Sequence, residues 1–185
     1  MITKEQAIKK VRGTLSEDMD VMLDNIIEKE YGWVLFPQSK QYIETKDPMF
    51  MAIGSGGILV EKTTGNTYEF GSAYSTDQNL RIYELGYFQY ENWDIEVIKV
   101  INKSKTIAHL SKLDISYVMP EYEHGTVWKI PKKYSNEQLK KKLKSLPVRF
   151  NLGNVYFRWE QLESLKTQSD FEYQLSENKG HENDI

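Results

Sequence analysis

Residues 31–73, YGWVLFPQSKQYIETKDPMFMAIGSGGILVEKTTGNTYEFGSA, carry the densest turn chemistry and the clearest strand signals of the chain. The apolar run Trp33-Val34-Leu35-Phe36 predicts a mostly buried strand, Ile58-Leu59-Val60 a second, and Thr67, Tyr68 and Phe70 a third. Between the last two, Thr63-Thr64-Gly65-Asn66 ends on a Gly-Asn step that accepts the positive φ of a tight hairpin, so these strands pair antiparallel. Ser39 to Ile43 predicts one helical turn. Pro48 ends it, because the residue before a proline is pushed out of the α region. Met49 to Ile53 is apolar enough to cap the core or to form another short helix. The run Gly54-Ser55-Gly56-Gly57 invites a phosphate-cradle reading, but no Lys-Ser/Thr pair follows and the run leads into a strand instead of opening a helix. Backbone freedom at a strand start accounts for it.

Toward the N-terminus, Thr3-Lys4-Glu5-Gln6 is a capping box that opens a helix to about Leu15, with Ala7, Ile8, Val11 and Leu15 on one face. Val21, Leu23, Ile26 and Ile27, interleaved with acids, predict a strand. Ser75 to Gln78 repeats the capping box ahead of Leu80, Ile82 and Tyr83. Residues 1–90 therefore form one α+β unit in the order α, β, β, helical turn, β, β, α.

Gly32-Trp33, Tyr42-Ile43-Glu44-Thr45-Lys46-Asp47, Gly54 ahead of Ile58-Leu59-Val60, and Thr64-Gly65 ahead of Gly71-Ser72-Ala73 occur in the order and spacing of a known family. In these residues the chain resembles the YrhB-like, immunity protein 35 domain of bacteria, over about half of its length. The resemblance implies an interaction domain that neutralises a cognate toxin by direct binding. It also implies a family motif of structural character at Gly32, Trp33, Tyr42, Glu44, Thr45, Asp47, Gly54, Gly65 and Gly71. Lys46 departs from the pattern, since the family more often has Gly there.

Residues 91–166 have their own rhythm. Asp94 to Ile101 predicts a strand, Asn102 caps a helix with Ile107, Leu110 and Leu113 inward, and Ile115 to Met119 predicts a strand ended by Pro120. Glu123-His124-Gly125 turns into Thr126 to Ile130. Ser135 opens a helix with Leu139, Leu143 and Leu146 inward, and Val148-Arg149-Phe150 starts a fourth strand. The order βαββαβ is that of the ferredoxin-like unit. Gly153-Asn154 predicts a hairpin to Val155-Tyr156-Phe157, and Trp159, Leu162 and Leu165 a closing helix. Residues 167–185 are polar and charged, with too little apolar area to offset their ordering entropy, so they are expected to fray. The fold class is thus α+β, in two small antiparallel-sheet-plus-helix units.

The chain of 185 residues has no cysteine, which excludes disulfide and thiolate chemistry and fits a reducing, cytoplasmic setting. No apolar run reaches the roughly 20 residues of a membrane span. The net charge of −3 conceals blocks. Glu17, Asp18, Asp20, Asp24, Glu28 and Glu30 face only Lys29 in sequence, whereas Lys129 to Arg149 holds eight basic residues against Glu137. Such asymmetry steers charged partners, and the acidic strip is the candidate face for a basic toxin.

Catalytic signatures are missing. The three histidines, His109, His124 and His181, show no metal-ligand spacing, so neither a metal nor a cofactor is expected. His124, beside Glu121 and Glu123, is the one acid-base candidate and reads better as a turn residue. No serine lies in a nucleophile elbow. Glu44 and Asp47 read as acids that bond the loop amides around Lys46 and Met49. A nucleic-acid role would use Trp128 and Tyr117 with the Lys140 to Lys144 cluster, but the RNA-binding signature is absent and Trp128 reads as core. The expectation is a non-enzymatic inhibitor, with a small multi-client adaptor or chaperone and a nucleic-acid binder as the alternatives.

Overall fold

The computed structural model describes residues 1–180 and divides them between two α+β units, Met1–Leu85 and one that begins at Gly86. The boundary lies at Leu85 and not near Tyr90, because the Tyr87 hydroxyl donates to Glu163 at 2.7 Å and its ring packs edge-on against Trp93, both in the second unit.

In the first unit, Thr3 opens α1 (Lys4–Arg12). Its hydroxyl accepts the Gln6 N–H and the Gln6 side chain accepts the Thr3 N–H, so two of the free donors at the helix start are satisfied. The single strand expected over Val21 to Ile27 is two, β1 (Met19–Val21) and β2 (Ile27–Glu28), split by a 3-10 turn at Leu23–Asn25 where the chain changes pairing partner. β3 (Gly32–Leu35), β4 (Pro37–Ser39) and α2 (Lys40–Thr45) follow, then a 3-10 turn at Pro48–Phe50. β5 (Ser55–Glu61), β6 (Thr67–Gly71) and α3 (Thr76–Glu84), again opened by a capping box at Ser75, complete the unit. The sheet is antiparallel in the order β2-β3-β5-β6, and β1 pairs with β4.

The period of two decides which residues face which helix. Leu35, Ile58 and Val60 join Ala7 and Val11 of α1 in one core cluster, and Trp33 packs on it. Val34 and Leu59 point to the opposite face and are fully buried, and α3, with Leu80 and Ile82 inward, lies along β5 and β6. A sheet covered on both sides reads as continuous apolar runs, which is why these strands were legible. The glycine run at the start of β5 is a bulge: Ser55 pairs with Gly71 and Ile58 with Glu69, and a Cβ at Gly56 would lie 2.2 Å from the Gly71 carbonyl oxygen. Of the two expectations for Met49 to Ile53, the short helix is met in part by the 3-10 turn at Pro48–Phe50, whereas Met49 and Ile53, 87% and 95% exposed, stand clear of the core. The Gln38 side chain grips this segment by the Ala52 backbone.

In the second unit, β7 (Trp93–Val100) leads to α4 (Lys103–Lys112), capped by Asn102. β8 (Ser116–Glu123) and β9 (Thr126–Lys133) form a hairpin, and Ser135 opens α5 (Asn136–Lys142). β10 (Val148–Gly153), a 3-10 turn at Tyr156–Arg158, α6 (Trp159–Leu165) and β11 (Phe171–Glu177) follow. Ile95, Val97, Leu110, Leu113, Phe150, Leu162 and Phe171 are buried.

Four expectations are corrected here. The order βαββαβ is present, but its strands do not join in one ferredoxin-like sheet: β10 and β11 flank β7, and β8 pairs only with β9. Residues 171–177 do not fray, because Phe171, Tyr173 and Leu175 alternate with polar residues and β7 supplies a partner for each residue, with one bulge that skips Ile98. His181 and the rest of HENDI lie outside the described residues. Val155 to Phe157 is no strand; the Asn154 carboxamide oxygen accepts the Tyr156 N–H at 2.9 Å and starts a 3-10 turn. Leu146 is exposed, since α5 ends at Lys142 before a further turn can carry it inward.

Candidate functional site

The least ordinary surface is the β8–β9 ribbon. His124 and Gly125, with φ of 50° and 78°, make the two-residue turn whose twist matches the strands, so the register runs from Glu123 opposite Thr126 to Ser116 opposite Lys133. His124 is therefore a turn residue by conformation. At the base, Tyr134 donates its N–H to Ile115, its ring lies 4.8 Å from that of Tyr117, and Lys133 pairs with Asp114 at 2.8 Å. Farther out, nothing among the described residues of the unit covers the strands. Tyr122 is 80% exposed and Trp128 54%, with Val118, Met119 and Val127 exposed beside them, so Trp128 is surface and not core. Pro120 faces Lys129 and Pro131 faces Val118. Each proline removes a ladder donor, which keeps such strands out of sheet centres, and this pair was the sequence signal for an isolated ribbon. Large apolar groups gathered on exposed strands mark a surface that meets another molecule.

The acidic strip is less free than its sequence suggests. Asp20 receives two bonds from the Arg12 guanidinium, at 2.6 and 3.0 Å, and that side-chain bonding holds its carboxyl below the usual carboxylate range. Glu28 is paired with Lys62 at 2.7 Å. Asp18 accepts the Ser16 hydroxyl, which also lowers its pKa, and Lys40 reaches the Glu17 carbonyl. Glu17, Asp24 and Glu30 are exposed and carry no ion pair among the described residues. Cations thus interleave the strip.

The glycines, Trp33, Thr45 and Asp47 of the motif hold local backbone or packing, and Glu44 does not. Gly32 is buried, and a Cβ there would lie 2.6 Å from Leu59 Cδ1 and 2.8 Å from the Val60 oxygen. Trp33 donates Nε1–H to the Ile2 carbonyl at 3.2 Å, and Lys62 sits over its ring at 4.5 Å. Tyr42, on α2, borders a pocket of about 230 Å³ with Phe36 and Met51. Thr45 bonds the Gln41 carbonyl and accepts the Asp47 N–H, and Asp47 accepts the Met49 N–H at 2.9 Å. Glu44 is exposed and makes no side-chain hydrogen bond among the described residues, so only Asp47 closes the loop as expected. Lys46 has φ of 57°, the left-handed conformation that glycine adopts at a helix end. Gly54 and Gly65 have φ of 108° and 75°. Gly71 is the partner in the bulge.

A tyrosine cluster in the first unit escaped sequence reading. Tyr31 and Tyr68 lie 5.2 and 5.1 Å from Tyr83, Tyr31 donates to Glu84 at 2.8 Å, and Tyr83 donates to Glu61. Burial, then the carboxylate acceptors, push the Tyr31 and Tyr83 hydroxyls above their ordinary pKa, so both are donors at neutral pH. His109 lies 3.4 Å from Asp170. Among the described residues no group of three or more His, Asp or Glu stands close enough to hold a metal, and no helix is long and apolar enough to cross a membrane.

No protein-family model, no curated protein and no solved structure matches the chain.

Proposed function

We propose that the protein works by binding another protein, as an immunity protein that neutralises a cognate bacterial toxin by occluding it in the cytoplasm. The observation that carries this reading is the β8–β9 ribbon, whose exposed Tyr122, Val127 and Trp128 offer rigid apolar area with polar edges, the composition of interface anchors. The motif resemblance of the first unit supplies the kind of partner. Acids left unpaired at Glu17, Asp24 and Glu30 add steering toward a basic surface.

The test is co-expression with toxins encoded in neighbouring reading frames, scored by survival and by co-purification. The wild-type chain protects. The double variant Tyr122→Ser, Trp128→Ser keeps its thermal transition and loses protection. Protection by the double variant rejects the ribbon as the interface, and failure of the wild type to bind any neighbouring toxin rejects the inhibitory reading. The same exposed ribbon favours a second reading, an adaptor or chaperone for several clients. In that case the chain suppresses aggregation of unrelated proteins and shows no single tight partner.

A further inference from the structure

Beneath the base of the ribbon, within the second unit, lies a groove of about 1030 Å³ walled by β8, α5 and β10. Its volume is at the upper end of small-molecule sites, roughly 300–1,000 Å³. The chemistry of its wall is one-sided. Lys141, Lys142 and Arg158 line it, no carboxylate does, and none of the three cations carries an ion pair among the described residues. Two carboxylates of the ribbon and its base are already matched, Glu121 to Lys132 at 2.6 Å and Asp114 to Lys133.

The neutral polar groups point the same way. Asn151 and Asn154, which line the groove, use their carboxamide oxygens to accept the backbone N–H groups of Gly153 and Tyr156, so their NH2 groups remain as donors. The Arg158 guanidinium is anchored by one arm to the Leu152 carbonyl, which fixes its position and leaves other donors for a ligand. Gln138 turns its oxygen to the Ser135 N–H and its NH2 to the Tyr117 hydroxyl, so it orients a ring instead of offering an acceptor. Two half-buried rings border the space, Tyr117 and Tyr134, with Lys142 6.0 Å from the Tyr134 ring centre.

We infer that this groove binds a phosphate-bearing ligand of the nucleotide class, its phosphates taken by Lys141, Lys142 and Arg158 and its base set against the tyrosine rings. A wall that carries three cations and, among the described residues, no carboxylate matches phosphate oxygens, which only accept. Ring surface beside it matches a planar base. In sequence the lysines lie on a helix and the tyrosines lie on or beside strands, and only the packing of α5 against the ribbon base brings them together. The inference stands apart from the inhibitory reading, because probe binding needs no partner protein.

The experiment is isothermal titration of the full chain with ADP, inorganic pyrophosphate, thymidine monophosphate and a short oligothymidylate. Lys141→Gln, Lys142→Gln is compared with Lys140→Gln, Lys144→Gln, which removes equal charge from positions outside the groove. The expected result is saturable binding of ADP that is tighter than pyrophosphate. The groove double variant weakens it at least about tenfold, the control double variant less than about twofold, and both keep the wild-type thermal transition. An oligothymidylate that binds no more tightly than the monophosphate makes the source a free nucleotide, and affinity rising with strand length makes it single-stranded nucleic acid. Absence of binding by every probe, equal loss in the two double variants, or equally effective displacement by polyglutamate each overturns the inference.

Discussion

The hairpins β5–β6 and β8–β9 are built from similar material and end in opposite environments. Each is antiparallel, each turns through glycine at positive φ, and each is rich in β-branched and aromatic residues. In the first, Leu59 and Val60 are fully buried because β3 pairs on one side and helices cover both faces. In the second, Val118, Met119, Val127 and Trp128 remain on the surface because, among the described residues, β8 and β9 find no third strand. Apolar content gave the hairpins alike; the company each keeps made one a core and the other a candidate interface.

The contrast is broken most severely through β11. A chain stopped at Asp170 leaves β7 without one neighbour and removes buried Phe171, so the second unit is expected to lose its cooperative thermal transition. Replacing the ribbon tip, residues 119–130, by a short Gly-Asn turn is expected to leave that transition in place. The next effect contrasts core with surface: Leu59→Ala costs about 2–5 kcal/mol in urea unfolding, whereas Met119→Ala costs less than about 0.5 kcal/mol. Comparable costs would show that the ribbon is packed after all. Gly32→Ala, which forces a methyl against Leu59 and the Val60 carbonyl, costs about 1–3 kcal/mol by the same measurement. The smallest effect is on pH dependence. Asp20 has a lowered pKa, so the Arg12 pair contributes above the ordinary aspartate value of about 3.9 and is lost as pH falls through the folded value. That contribution is at most about 1 kcal/mol for a largely exposed pair. Lys132 of the ribbon has a raised pKa from its bond to Glu121. Its contribution is present below the ordinary lysine value of about 10.4 and lost as pH rises through the folded one. Asp20→Asn should flatten the acid limb of a stability-pH curve and leave the alkaline limb unchanged.

Local chemistry was legible wherever one segment contained its own answer. The capping boxes at Thr3, Ser75 and Ser135 all form, Asn102 caps α4, and Gly65 turns the first hairpin. What escaped reading depends on a partner distant in sequence. Phe171, Tyr173 and Leu175 sit among acids and glutamines and become a strand only because Val100 to Trp93 lies opposite. Trp128 has the composition of a core residue, but no element among the described residues covers it. The groove was legible only in part: Tyr117 and the lysine cluster stand out in sequence, but Tyr134, Arg158 and the asparagines join them only through packing, and Trp128 lies outside. Lys46 takes up the left-handed conformation that glycine adopts most readily, a backbone demand that the lysine side chain does not announce.

The placement of β7 between two late strands also sets a timetable. During synthesis at about 5–20 residues per second, β7 emerges several seconds before Phe171, its partner for Val100, exists. For that interval the unit has an open hydrogen-bonding edge in its middle, and the nascent chain needs a temporary companion there or a slow pace of collapse.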